Sequence, residues 1–491
     1  MTKENNPLSE RDERINKLKK IEDLGINPYP AKSQRDMKIT DFLNNFEKLA
    51  AKQDLKHLVG RLQSLRSHGN LSFANLKDES GNIQLAFSKK ELADDYKNFI
   101  KLIDVGDFIE VKGPAFLTHK GEKSLLVKEY KILTKSLRPL PDSWYGFKDE
   151  EERYRRRYLD ILANNEVKEM IEKRAKFWQA TRNFLVKKGF LEVETPILET
   201  SPGGADAKPF VTHHNALDIP VYLRISTGEL WQKKLMIAGF EKTFEIGRQF
   251  RNEGMDADHL QDYTQMEFYL AYADYKEGME LVVELFRYIA KETFGTTEFN
   301  IKDFKVDLND DWQEYDYRQT VLDYTGIDVL DTTEKEIRKK LDELGVNYDK
   351  EGFNLTRAID NLWKYCRKKI AGPGFLVNTP LIVSPLAKKN DKNPLLAQRF
   401  QPIIAGSELG NGYSELNNPL DQEIRFKEQE KLREAGDEEA QRHDKDFIEA
   451  LEYGMPPTCG FGFSERLFSY LMNKTSRECQ IFPLMRPKDD K

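Results

Sequence analysis

Three kinds of hydrophobic spacing succeed one another along the chain. Residues 9–24 (SERDERINKLKKIEDL) set Ile15, Leu18, Ile21 and Leu24 at helical intervals, with Ser9 placed to cap the first turn. Gly25, Pro28 and Pro30 end that helix, and Arg11, Arg14 and Lys17 share its polar face, which reads as solvated. From His57 the period drops to two. Leu58, Gly60 and Leu62, then Leu71, Phe73 and Asn75, then Ile83, Leu85 and Phe87 alternate with their neighbours, and His68-Gly69-Asn70 and residues 79–82 form the turns between. Further short strands are expected near 107–111 and 125–132. About five short strands in so small a span predict a small β-barrel of the oligonucleotide-binding (OB) type. LRPLPDSW (137–144) has the prolines of a linker.

Beyond residue 150 the pattern is longer and mixed. A helix over 163–188 runs into Gly189 and a strand, FLEVETPIL; apolar strand-like runs follow at 243–250 and 263–272. Helical patterns occupy 276–293 and 334–344, and a glycine-rich strand–helix junction lies at 459–472. The chain is thus expected to be α+β, with a helical extension (1–55), a barrel (56–140), a linker (141–149) and a large second domain (150–491) carrying a helical insertion near 300–375.

Composition narrows the function. No run approaches the roughly 18 apolar residues of a membrane span, and MTKENNPLSE lacks the apolar core of a secretory signal. Cys366, Cys459 and Cys479 have neither disulfide-framework nor zinc-site spacing. A cytoplasmic protein is expected. The net charge of −6 would by itself argue against a polyanionic partner. It is unevenly spread, however: residues 1–55 sum to +1, 56–140 to +5 and 141–491 to −12. Phosphate binding needs local positive charge, so the basic barrel keeps a nucleic-acid partner open.

Neither GxGxxG nor GxxxxGK[ST] occurs. Two other motifs carry chemistry. In FEIGRQFRNEG (244–254) a strand ends in Arg251-Asn252-Glu253-Gly254, which presents a guanidinium at a loop mouth, or else forms an exposed hairpin with an ion pair. In GFGFSERL (460–467) glycines precede Glu465-Arg466 at a helix start, suited to a polyphosphate tail, or else to a plain tight turn.

Together with TPIL (195–198) these motifs resemble, in order, those of class II aminoacyl-tRNA synthetases. The basic barrel in front matches their aspartate/asparagine/lysine subgroup. SPGGADAKPFVTHHNALD (201–218), MEFYLAYADY (266–275), VSPLAKKNDKNP (383–394), ELGNGYSELN (408–417), YGMPPT (453–458) and IFPLMRP (481–487) are similar to the lysyl-tRNA synthetase branch. The class I signatures HIGH and KMSKS are absent. The resemblance implies an antiparallel-sheet catalytic domain flanked by helices, a homodimer, and formation of lysyl-adenylate from L-lysine and ATP before transfer to tRNA(Lys).

It also implies site residues. Arg251 would grip the α-phosphate and Arg466 the γ-phosphate, as the catalytic arginines. Glu253, His259, Tyr263 and Glu408 would contact ATP, with Tyr263 stacking on adenine. Glu408 and Glu415, seven apart, would hold Mg²⁺. Gly204, Glu229, Glu267, Tyr269, Asn411, Tyr413 and Glu415 would bind lysine, because an enclosed ammonium needs anionic partners. Arg61, Phe73 and Gln84 would read the anticodon, unless Phe73 points inward as barrel core. The Arg11/Arg14/Lys17 face becomes a candidate contact for the tRNA backbone.

The chain departs from the pattern in three places. DADHLQDYT (256–264) carries Asp258 and Leu260-Gln261 where an arginine and Asn-Pro are usual. STGELWQKK (226–234) is one residue longer than usual, and CGFGFSERL is one shorter, with Phe463 at a glycine position. An asparagine- or aspartate-specific relative, and a catalytically inactive RNA-binding paralogue, remain the alternatives.

Overall fold

The structure, a computed structural model, describes residues 9–140, 149–205, 207–254, 256, 259–348, 353–435, 440 and 443–488. The chain divides into two compact units, residues 1–153 and 154–491. Most of the expected linker, 141–148, lies outside the described residues.

Unit 1 holds seven strands rather than five: β1 (Lys56–His68), β2 (Leu71–Lys77), β3 (Asn82–Ser88), β4 (Phe108–Gly113), β5 (Ala115–Leu117), β6 (Lys123–Leu126) and β7 (Glu129–Thr134). β5, three residues long, is too short to show alternation, and the strand expected near 125–132 is two, β6 and β7. The ladders run β5-β6-β3-β2-β1-β4-β7, and among the described residues none closes β7 onto β5. The expected barrel is therefore an open path of strands. Leu58, Leu62, Ala74, Leu76, Ile83, Leu85 and Phe87 line its inner face, joined by Phe42 and Phe46 from the short helices Ile39–Asn44 and Phe46–Lys52. On β2 the inward positions are Ser72, Ala74 and Leu76, so Phe73 stands on the other face, outside the core.

The first helix, Glu10–Asp23, starts where Ser9 predicts: the Ser9 hydroxyl accepts from the Asp12 N–H at 3.2 Å. Its packing differs from the expectation. Of the apolar stripe only Ile21 is buried, whereas Arg14 is buried and donates to the carbonyls of Val105 (3.1 Å) and Ser136 (3.2 Å). Lys17 lies 2.5 Å from Asp104. The helix rests on a loop rich in carbonyls and carboxylates, so its polar face is the one that packs. Arg14 and Lys17 are thereby withdrawn from the expected solvated face.

Unit 2 is built on a nine-stranded sheet of β8 (Leu191–Glu192), β12 (Lys242–Phe250), β13 (Asp262–Ala271), β16 (Gln313–Asp316), β17 (Gly374–Val377), β18 (Arg399–Ile404), β19 (Ser407–Glu408), β20 (Asn411–Ser414) and β21 (Thr458–Ser464). Its order is β16-β17-β18-β20-β21-β13-β12-β8, with β19 paired to β18. Pairing is antiparallel except at the two ends, β16–β17 and β12–β8. Small sheets flank it: β9 (Leu198–Glu199) with β10 (Val211–His214) and β11 (Ile219–Leu223), and the hairpin β14 (Glu298–Ile301)–β15 (Phe304–Asp307).

Helices Asn165–Lys187 and Tyr275–Phe294 pack together over one face, around Phe177, Phe244, Phe268, Phe286, Phe461 and Phe463. The second begins in a capping box, Asp274 with Glu277, which satisfies its orphan N–H groups. Gly189 ends the first turn region at φ +84°, a conformation that favours glycine.

Two expectations fail here for physical reasons. FLEVETPIL is strand only at 191–192 and 198–199, because Pro196 has no N–H to give a ladder and the Thr195 N–H is spent on Glu245 Oε2 at 3.1 Å. The 300–375 segment is not simply helical. It contains the β14–β15 hairpin, and two parallel sheet strands, β16 and β17, stand before and after its helices. Helices Tyr317–Thr325, Glu334–Glu343 and Leu355–Arg367 form the crossover that a parallel pair requires, on their own core around Trp363.

Candidate active site

A cavity of about 450 Å³ opens in unit 2, and all the site candidates past residue 150 line it: Gly204, Glu229, Arg251, Glu253, His259, Tyr263, Glu267, Tyr269, Glu408, Asn411, Tyr413, Glu415 and Arg466. Strand alternation explains the convergence. On β13, Tyr263, Gln265, Glu267 and Tyr269 face the cavity, while Met266 and Phe268 enter the core. Across the ladder, Glu267 pairs with Gly462 and Tyr269 with Gly460. A Cβ on Gly460 would come within 2.2 Å of Glu415 Oε1, and one on Gly462 within 2.8 Å of Glu267 Cγ. The glycines thus leave room for the acids. Cys459, Phe461 and Phe463 alternate with them into the core, where Phe463 stacks on Trp178 (6.0 Å between centroids, 7°). The Phe463 ring is buried in that core, and the residue also borders the cavity.

One end of the cavity is dominated by buried acid. Glu267 accepts from the Thr227 N–H (2.8 Å), Gln265 Nε2 (2.6 Å) and the Tyr269 hydroxyl (3.1 Å). Glu229 accepts from Lys233 Nζ (2.8 Å) and from the Tyr413 hydroxyl, and Lys233 lies 2.7 Å from Glu415. Glu229 and Glu415 therefore share one buried ammonium, and the third buried carboxylate, Glu267, feels its charge from further off. Burial, reinforced by the Glu229 charge, pushes the Glu267 carboxyl up to about 7. Burial also pushes Glu415 up to about 8, against the pull of Lys233. Burial disfavours the Lys233 charge, but Glu229 and Glu415 outweigh it and raise that pKa.

Gly204, at φ +86°, closes this end, where a Cβ would meet Ser226 Oγ at 2.6 Å. Gly228 (φ +70°) stands immediately before helix Glu229–Ile237, and Glu229 reaches the cavity. Asn411 Oδ1 accepts from Arg399 Nε at 2.8 Å.

The other end is basic. Arg251 follows β12; its Nε donates to the Ile225 carbonyl at 3.3 Å and its guanidinium sits 5.8 Å from the Tyr263 ring centroid. Arg466, at the start of helix Arg466–Leu471, donates to Ser407 Oγ at 2.8 Å. Glu253 accepts from the Lys208 N–H at 3.3 Å. His259 is exposed and engaged with Asp256, ring Nδ1 at 2.7 Å and backbone N–H at 2.8 Å. Of the unusual loop, Asp258 lies outside the described residues, and the Gln261 carbonyl accepts from the Arg251 N–H at 2.8 Å. The pair Glu408/Glu415 lines one cavity in different company: Glu408 meets Trp363 and Arg367, Glu415 meets Lys233.

In unit 1, Phe73 lies opposite Arg66 and Ala86, and Gln84 opposite Asn75, so Phe73 and Gln84 are diagonal neighbours on the outward face. Gln84 donates to Ser124 Oγ at 3.0 Å. Arg61 lies further along, opposite Lys77, with its guanidinium 4.3 Å from the Phe108 ring centroid.

Sequence reasoning missed Lys233, Gln265 and Arg399. The Glu229–Lys233 spacing of four on a helix and the period-two position of Gln265 beside Glu267 were the available signals.

Fold and site together define a nucleotide-dependent acyl-activating enzyme of the class II synthetase kind. Residues 149–486 match the family described as tRNA synthetases class II (D, K and N), and residues 57–133 match the OB-fold nucleic acid binding domain. The chain belongs to that class II family. It is 44% identical over 486 residues to the lysine–tRNA ligase of Thermosipho africanus (strain TCF52B), covering 97% of this chain and 96% of that one. Over 489 residues it is 41% identical to the lysine–tRNA ligase of Thermotoga maritima (97% and 96% covered), and over 481 residues 42% identical to that of Carboxydothermus hydrogenoformans (97% and 98%).

Proposed function

We propose that the chain ligates L-lysine to tRNA(Lys) in two steps, the first of which consumes ATP. The observation that carries the amino-acid choice is the excess of buried carboxylate, Glu229, Glu267 and Glu415 around a lone Lys233. Such a group is incomplete without a second cation, which the side-chain ammonium of lysine supplies, with Tyr269, Tyr413, Asn411 and Gly204 shaping the space around it. An aspartate side chain would find no free cation there, since Lys233 already answers two acids, and a neutral asparagine amide would supply none to the acids.

The lysine carboxylate oxygen bonds to the α-phosphorus of ATP as the α–β phosphoanhydride breaks and diphosphate leaves. A ribose hydroxyl at the tRNA 3′ end then attacks the lysyl carbonyl and AMP departs. The carboxylate is already a nucleophile, so placement matters more than a base. Arg251 would face the charge growing on the α-phosphate, Arg466 the far phosphates, Tyr263 the adenine, and Glu253 and His259 the remaining nucleotide contacts. Mg²⁺ would neutralise the phosphate tail. Glu408 fits that role: a hard carboxylate lining the Arg466 end, with acceptor capacity beyond the hydrogen bond on each oxygen. Glu415 holds Lys233 at 2.7 Å through Oε2, and we assign it to the ammonium first and the metal second.

The barrel segment (56–140) would hold the anticodon through Phe73, Gln84 and Arg61, leaving catalysis to 150–491. A homodimer is supported by the exposed apolar side chains Val186, Leu191, Ile197 and Leu198, which follow one another along the segment from the end of helix Asn165–Lys187 through β8 to β9. Among the described residues no helix is long and apolar enough to cross a membrane, and we place the enzyme in the cytoplasm with its tRNA. ATP–pyrophosphate exchange tested with lysine, asparagine and aspartate decides the reading. Exchange with lysine alone is expected; exchange with aspartate and not lysine would sink it.

A further inference from the structure

The helices that interrupt the central sheet between β16 and β17 have no part in the reading above, yet one of them reaches the cavity. Helix Leu355–Arg367 buries Ala358, Ile359, Leu362, Trp363 and Cys366, and the Trp363 ring rests against Tyr317 with centroids 5.2 Å apart. Trp363 and Arg367 are four residues apart and so share a face. The Trp363 indole N–H donates to one oxygen of Glu408, and the Arg367 guanidinium donates to the other. Both oxygens of one cavity carboxylate are therefore held from a single, well-anchored helix. Arg367 also approaches Ser407 Oγ at 3.4 Å, and that hydroxyl accepts from Arg466 at 2.8 Å. A free glutamate spreads over several rotamers; a donor on each oxygen leaves one.

We propose that Trp363 and Arg367 are positioning residues for the nucleotide end of the site. The interrupting helix fixes the Glu408 carboxylate and, through Ser407, the Arg466 guanidinium before ATP arrives. This rests on the assignment of the Arg466 end to ATP in the proposed function. The crossover module is then part of the active-site wall, and its role is to keep the phosphate end rigid.

The test uses the full-length protein and three variants. Trp363→Phe keeps an aromatic ring in the core and removes the donor together with part of the indole's volume, which the melting control reports; Arg367→Met removes charge and donor; Arg367→Lys keeps the charge. ATP with Mg²⁺ is titrated calorimetrically without amino acid, L-lysine is titrated separately, and melting is followed for each variant. Trp363→Phe is expected to weaken ATP roughly tenfold, the loss of one charge-assisted hydrogen bond, and Arg367→Met by more. Lysine affinity should stay within about twofold, and Arg367→Lys should recover part of the ATP affinity. A merely structural role would lower melting and move both ligands alike. ATP affinity within about twofold of wild type in folded Trp363→Phe and Arg367→Met, or equal weakening of ATP and lysine, would overturn the proposal. A wild-type protein that binds ATP but gives no lysine-dependent exchange counts against the proposed function alone.

Discussion

Protons and the lysine ammonium should compete for the buried acids. In the empty site burial and the Glu229 charge push Glu267 up to about 7, and burial pushes Glu415 up to about 8. A raised carboxyl pKa means the folded, empty protein holds its proton more tightly. The substrate ammonium, with a pKa of about 10.4, stays charged throughout and needs ionised partners. Lysine binding therefore expels protons, and affinity falls as pH drops through about 7. Glu267 alone predicts a Kd about tenfold larger at pH 6 than at pH 8, and Glu415 steepens the trend. Calorimetry in two buffers of different ionisation enthalpy counts the released protons directly. Glu267→Gln keeps the shape and removes the charge; it should cost about 3 kcal/mol of lysine affinity, roughly a hundredfold in Kd, and flatten the Glu267 part of the pH profile. A Kd constant between pH 6 and pH 8, or proton uptake on binding, would refute the reasoning.

Three further outcomes follow from the same geometry. Arg251→Ala should lower ATP–pyrophosphate exchange by about two to three orders of magnitude, the usual effect of losing a preorganised charge at the reacting phosphate; exchange within a few-fold of wild type would remove Arg251 from the chemistry. Gly460→Ala places a methyl 2.2 Å from Glu415 Oε1, so calorimetry should show lysine affinity lost while ATP still binds. Phe73→Leu should weaken tRNA by about 1–3 kcal/mol in aminoacylation kinetics, with tRNA-independent exchange and melting unchanged because Phe73 lies outside the core.

Much of this was legible in the sequence where one period held over many residues. Helix Tyr275–Phe294 and strands β12 and β13 fall within a residue or two of their expected bounds, because packing on both sides of the sheet reinforces local preference. The cavity residues were found through motif order, and alternation then brought Glu267, Tyr269 and the 460–462 glycines together. The failures have physical causes. Arg14 reads as a surface cation, but a loop of carbonyls and carboxylates 91 residues away makes it a buried one. β16 and β17 are four residues each, and only their distant pairing makes them strands. Lys233 drew no expectation from the sequence; its pairing with Glu415 joins positions far apart along the chain.

Strand β21 divides its residues between two masters. Cys459, Phe461 and Phe463 answer to the volume of the aromatic core, while Gly460 and Gly462 answer to the space a ligand needs. A change on one side cannot be compensated by its sequence neighbour, which faces the other. Evolution of a new substrate preference in this fold would proceed by steps of two along that strand, and because Phe461 and Phe463 also border the cavity, drift in the core would be felt there.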